Sequence, residues 1–173
     1  MCGDHLECDT SNQKIYAWFC ACWAGGHSNA PLIQFEVPGT PQPQGSKIAN
    51  RFGGGVREAN KKLAPWRSAA MAAAADEMGD AQPLTVPVAV TAHFYFARPR
   101  SHYGTGRNAE TVKLSSPLKH CQKPDLDKLL RALGDALTQG GVLRDDSQIV
   151  KYDTGKHWTL GAPNTWVVLD LAD

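Results

Sequence analysis

The clearest signal along the chain is a change in the spacing of its apolar positions. Between Leu32 and Val37 the residues alternate, with Ile33, Phe35 and Val37 on one side and Gln34 and Glu36 on the other. That two-residue period predicts a half-buried strand. It returns from Val86 to Phe96, where Val86, Val88, Val90, Ala92, Phe94 and Phe96 share a face. Two more strands are predicted near the end of the chain, at IVKYDTGKHWTL and at Thr165 to Leu171. Between these regions the period becomes helical. Leu126, Leu129, Leu130, Leu133 and Leu137 form one stripe, as an amphipathic helix requires. Asp125 is a natural N-cap after Pro124, and Gly140 and Gly141 supply the stop. An Ala-rich run from Pro65 or Trp66 to Met78 predicts a second helix, ended by Gly79.

The remaining segments are polar, glycine-rich or proline-rich. PGTPQPQGS cannot be helix or central strand. KIANRFGGGVREANKK, with Lys47, Arg51, Arg57, Lys61 and Lys62, reads as a mobile basic loop around three glycines. RPRSHYGTGRN is a second basic loop, in which Arg98, Arg100 and Arg107 flank His102 and Tyr103. Such side chains suit phosphate contact and base stacking, although a solvated loop has the same composition.

Residues 1–30 stand apart as an N-terminal extension without core-like patterning, leaving residues 31–173 as one domain. The extension holds Cys2, Cys8, Cys20 and Cys22 around His5. Its C-x-C pair is tighter than a zinc knuckle, so reduced thiols are the simpler reading than a zinc site. Ile15 to Ala24 is apolar and signal-like. Asp4, Glu7 and Asp9 precede it against Lys14 alone, the wrong sign for an export signal,.

With 173 residues, 42% of them apolar and 20% charged, the chain can bury a core,. A formal charge of +1 excludes a uniformly basic DNA-coating protein,. Split by region, the charge is −3 over residues 1–46, +6 over 47–119 and −2 over 120–173. The near-zero total therefore conceals a basic stretch beside an acidic one,. No apolar run approaches the roughly 20 residues that span a bilayer, so no membrane partner is expected and the cytoplasm is the expected location.

The acidic region carries the chemistry. Asp127, Arg131 and Asp135 line a stripe beside the leucines, and Asp145 and Asp146 directly precede the strand at Ile149. The helix is about 20 Å long, so Asp146 approaches Asp125 and Asp127 only if the chain turns back along the helix flank. Converging carboxylates raise each other's pKa values unless a cation sits among them. Mg²⁺ is the hard ion suited to such oxygens, with Mn²⁺ a substitute, and it would activate water and polarise a phosphoryl group. No Ser–His–Asp order or activated cysteine competes. Each acid alone has a plainer explanation: D-x-D caps a helix, and D-D makes a turn. Their coincidence favours the metal site. His93 reads as an ordinary strand histidine. His120 and Cys121 lie near the acids but are too soft for Mg²⁺, and Trp66, Trp158 and Trp166 read as core or interface.

Lys123, Pro124, Asp125, Leu126 and Asp127, then Asp135, Ala136 and Leu137, then Asp145, Asp146, Ser147, Gln148 and Ile149 together resemble the RusA family of Holliday-junction resolvases of bacteria and their phages. Phe35 to Pro41, HFYFARPRSHY and Lys156 extend the likeness. The resemblance implies a small two-layer α+β domain, a mixed β-sheet with helices packed on it. It also implies a homodimer that cuts branched DNA with Mg²⁺, with Asp125, Asp127 and Asp146 as metal-binding catalytic acids and Arg131 and Lys156 as further catalytic residues. Asp135 and Asp145 are further acid candidates, and Arg98, Arg100, Arg107, Lys47, Arg51 and Lys128 candidate DNA contacts. Two positions depart from the pattern: Lys128 stands where most members have Asn, and Arg131 where they have a functionally important Lys. Arg keeps the charge and grips phosphate bidentately but cannot shuttle a proton. A two-fold dimer suits a junction that needs two matched nicks. The alternative is a non-catalytic junction-binding module; a D-x-D phosphotransferase is disfavoured because HCQKP, not a hydrophobic strand, precedes the acids.

Overall fold

The computed structural model describes residues 32–45, 47–49, 53, 56–58 and 60–172. The cysteine-rich extension and Arg51 lie outside the described residues. Strand β1 spans Ile33–Pro38, β2 Lys47–Ala49 and β3 Val56–Glu58; helix α1 spans Leu63–Met78. Strand β4 (Val88–Ala97) leads through a long loop to α2 (Leu126–Gln139), followed by β5 (Ile149–Thr159) and β6 (Asn164–Leu171).

The main sheet has the order β1-β6-β4-β5. β1 pairs antiparallel with β6, and β6 antiparallel with β4, whereas β4 and β5 are parallel. Parallel neighbours need a crossover, and the chain from β4 through α2 to β5 supplies it. The result is the mixed sheet with helices that the resemblance implies. Along β4 burial alternates strictly, with Val88, Val90, Ala92, Phe94 and Phe96 inside. Ile33, Phe35 and Val37 of β1 join the same core, with Val167 and Leu169 of β6. The strand begins at Val88 rather than Val86 because Pro87 has no N–H to give the ladder.

Helix α2 buries Leu129, Leu133 and Leu137 completely or nearly so. Truncating one of these to Ala would cost about 2–5 kcal/mol. Helix α1 turns Leu63, Trp66, Ala70, Ala74 and Met78 inward at helical spacing, with alanines in the middle turns and large side chains at the ends. It starts at Leu63, ahead of the expected Pro65, because the first turn of a helix leaves its N–H groups unpaired and tolerates proline there. Arg67 joins the helices through a 3.1 Å ion pair to Asp135.

The segment expected to be a basic loop contains a short antiparallel ladder, Lys47 opposite Glu58 and Ala49 opposite Val56. Alternation is too short in these three-residue strands to be read from the sequence.

Two aromatic clusters flank the crossover. On the sheet face away from the helices, His93 Nδ1 and His157 Nε2 lie 3.1 Å apart, and Trp166 stacks on His93 with rings 10° from parallel. Gly155 makes this approach possible, since a Cβ there would sit 2.8 Å from His157 Nε2. The expected strand histidine is thus one half of a pair. At the other end of β4, His120 packs between Phe96 and Trp158 at ring distances of 4.3 and 4.2 Å, and His102 meets the edge of Trp158. His102 and His120 are both buried.

Burial lowers the pKa of His120 below its usual 6.5, as it does that of His157, where His93 and Lys119 act in the same direction. Below pH 6.5 the unfolded chain therefore takes up protons that the folded chain still refuses,. The fold should lose stability as pH falls through that window and plateau below the folded-state values. Thermal melts from about pH 7 to about pH 5 should show a falling Tm, and His120→Phe should flatten the slope.

Candidate active site

The acids at the start of α2 are placed by the chain that enters the helix. Asp125 has the extended dihedrals of an N-cap, φ −71° and ψ 141°. Its carboxylate does not cap, however; it accepts a 2.8 Å hydrogen bond from Lys128 Nζ one turn on. That bond and the charge of Lys128 hold Asp125 below the usual carboxylate value, with smaller help from Lys123 and Lys156, and the Lys128 ammonium is pushed up in return. Both side chains stand about half exposed, so water screens the pair. Asp127 follows in the first helical turn, also exposed.

Two braces hold this entry in position. Lys156, projecting from β5, donates 2.7 and 2.8 Å hydrogen bonds to the carbonyls of Gln122 and Pro124. Gln44 N–H, in the Pro/Gly segment, donates to the Lys128 carbonyl at 3.0 Å. Lys156 is therefore committed to the backbone that carries Asp125. It positions the acid.

At the other end of the crossover, Asp145 caps a single 3-10 turn, Asp146–Gln148, through a capping box: Ser147 N–H donates to its Oδ1, and its own N–H donates to Gln148 Oε1. Gln148 Nε2 then donates to the carbonyls of Leu84 and Val86 at 2.8 and 3.1 Å. This clamp fixes Asp146 at the mouth of β5. A Cβ on Gly134 would lie 3.6 Å from Tyr152 Oη and 3.8 Å from Asp146 Cβ, so both residues rest against the α2 flank at that glycine.

Tyr152 and Lys156 project from the same face of β5. From Tyr152 to Lys156 the strand covers about 13 Å, and from Pro124 to Gly134 the helix covers about 15 Å. Strand and helix thus run side by side in opposite directions, and the chain does turn back along the helix flank. Asp127, Arg131 and Gly134 share a stripe of α2, with Asp127 about 10 Å along the axis from the point where Asp146 sits. The expected metal acids are accordingly arranged as a pair at the helix start and a third acid on the flank. Among the described residues, no three His, Cys, Asp or Glu side chains are grouped as ligands of one ion.

The other candidates divide. Asp135 is engaged with Arg67, and Asp145 with its cap. Arg98 donates to the Pro117 carbonyl at 3.2 Å and lies over Trp158, whereas Arg100 and Arg107 face solvent. Arg131 is exposed one turn beyond Asp127. Lys47 is placed only as the first residue of β2. Tyr152 went unnoticed in the sequence, yet burial and the charge of Asp146 both push its phenol pKa up. Its signal was the two-residue period that puts it on the face of Lys156.

A family model described as Endodeoxyribonuclease RusA matches residues 38–169, most of the chain, including Asp125, Asp127, Asp135, Asp145 and Asp146. Comparison with curated proteins finds no match.

The Asp125–Lys128 contact can be tested directly. Carboxyl-detected NMR should show Asp125 titrating below 3.8, and Lys128→Met should bring it back toward that value. An unchanged titration would mean that the contact does not hold in solution.

Proposed function

The chain belongs to the RusA endodeoxyribonuclease family, and on that footing we propose that it is a Mg²⁺-dependent nuclease that resolves four-way DNA junctions by paired phosphodiester hydrolysis. The observation that carries this reading is the exposed Asp125–Asp127 pair at the start of α2, with Asp146 further along the same helix flank and the basic Arg98–Pro124 loop leading into the pair.

The donor set fits the ion. All three acids offer hard carboxylate oxygen, and Mg²⁺ asks for only one or two carboxylates beside waters and substrate phosphate oxygens. Asp125 and Asp127 would hold it, with Asp146 facing them from the flank. Bound there, it would polarise the phosphoryl group and lower the pKa of a water; Mn²⁺ accepts the same oxygens.

The chain's own residues supply the rest. Lys156 keeps the Asp125 backbone in place. Tyr152, whose phenol pKa is raised, keeps its proton and remains a hydrogen-bond donor beside Asp146. Arg131, one turn from Asp127, grips phosphate through two N–H groups without exchanging a proton. Arg100 and Arg107 bring positive charge to the duplex arms. A two-fold dimer presents two such sites to opposed strands, which gives paired nicks.

Lys128 is the resident counter-ion. It neutralises Asp125 and must release it before that carboxylate binds metal. This contact also favours a second reading, in which Lys128 marks a junction-binding module without chemistry. Tight junction binding with no cleavage in either Mg²⁺ or Mn²⁺ would support that one.

Two outcomes follow from the nuclease reading. Asp127→Asn should reduce Mg²⁺-dependent nicking of a synthetic four-way junction by roughly a hundredfold or more, and cleavage at the parent rate would remove Asp127 from the mechanism. Lys128→Asn should lower the Mn²⁺ concentration at half-saturation in calorimetry. An unchanged value would mean that Lys128 does not compete for the site.

A further inference from the structure

The loop from Arg98 to Pro124 joins β4 to the candidate acids and carries six basic residues against Glu110 alone. Its tip is braced. Lys113 N–H and Ser116 Oγ both donate to the His102 carbonyl at 2.9 Å, Ser116 N–H to the Lys113 carbonyl at 3.0 Å, and Arg98 to the Pro117 carbonyl. His102 itself is buried against Trp158, so these bonds tie the tip to the body of the domain.

Two large apolar side chains are fully exposed here, Leu114 on the Lys113–Ser116 turn and Leu118 just after Pro117. Leu114 is 106% exposed and Leu118 86%. Isolated exposed leucines are ordinary. Two only four residues apart on one braced loop tip, in a strongly basic stretch of the chain, call for an apolar partner that also carries negative charge. A DNA duplex hides its base faces within the stack, but a branch point exposes them. Apolar side chains that enter such steps hold them unstacked while basic neighbours meet the flanking phosphates. The tip is also tethered to the acids: Leu118 lies at most about 25 Å of extended chain from Asp125, and His120 and Lys156 anchor the path between.

We propose that Leu114 and Leu118 form a wedge that enters the unstacked bases at a DNA branch point, with Lys119, Arg100 and Arg107 meeting the adjoining phosphates. This rests on the reading of branched DNA as substrate. It assigns to the loop tip the choice of branched over linear DNA, separate from the chemistry at Asp127.

The test uses the full chain with Ca²⁺ in place of Mg²⁺, a four-way junction carrying 2-aminopurine at the branch or within an arm, and a linear duplex of the same length. The parent should brighten the branch probe alone and prefer junction to duplex. Leu114→Ser/Leu118→Ser should abolish the brightening and cut the preference by about fivefold or more, leaving duplex affinity, melting temperature and hydrodynamic size unchanged. Leu114→Met/Leu118→Met should retain both signals. A serine variant that keeps the brightening and the preference overturns the wedge while leaving the nuclease reading intact. A change in hydrodynamic size also overturns it, by assigning the leucines to contact with a second copy. A parent that does not prefer the junction overturns both.

Discussion

The packing of α2 against the parallel pair β4–β5 is the constraint on which the rest of the structure depends. Parallel strands cannot be joined by a tight turn, so the helix must cross the sheet, and its leucine stripe fixes its rotation as it does so. Once Leu129, Leu133 and Leu137 point into the core, the neighbouring stripe of Asp127, Arg131 and Gly134 has no choice of direction. It lies along the flank beside β5. A Cβ on Gly134 would meet Tyr152 and Asp146 at ordinary van der Waals distance, so both residues rest against the helix there. Core and candidate site are two faces of one helix, set by the same rotation.

The acids then separate by what already holds them. Asp135 is bound to Arg67, and Asp145 makes its capping box; removing either carboxylate would disturb the frame. Among the described residues Asp125 is held by the half-exposed Lys128, a weak and exchangeable bond,. The basic residues divide in the same way: Lys156 and Arg98 brace backbone carbonyls, and Arg100 and Arg107 remain turned to solvent. Charge that none of these braces engages is the charge that the proposed metal ion and phosphate would meet.

Much of this was legible in the sequence because it is local. Alternation in LIQFEV and VPVAVTAHFYF and the leucine spacing in α2 gave their elements to within a few residues, and the basic and acidic regions separated in the charge count. What escaped depended on tertiary contact. The capping role of Asp125 is the plain inference from its position, and only the fold shows Lys128 taking its carboxylate. The β2–β3 ladder joins strands too short for alternation to show. The His93–His157 contact spans two strands far apart in sequence, which no local period encodes. Tyr152 carries no motif, and its place beside Asp146 follows from the pairing register of β5 with β4 and from the glycine opposite.

The proposed metal ion would bind between the start of α2 and β5 and displace Lys128 from Asp125. A crystal grown with Mn²⁺ and analysed by anomalous scattering would decide it most directly. An anomalous peak against the Asp125 and Asp127 carboxylates on the side of Asp146, with Lys128 Nζ moved away from Asp125, is the predicted result. A peak confined to the His93–His157 pair, or no peak with the Asp125–Lys128 contact intact, would contradict it.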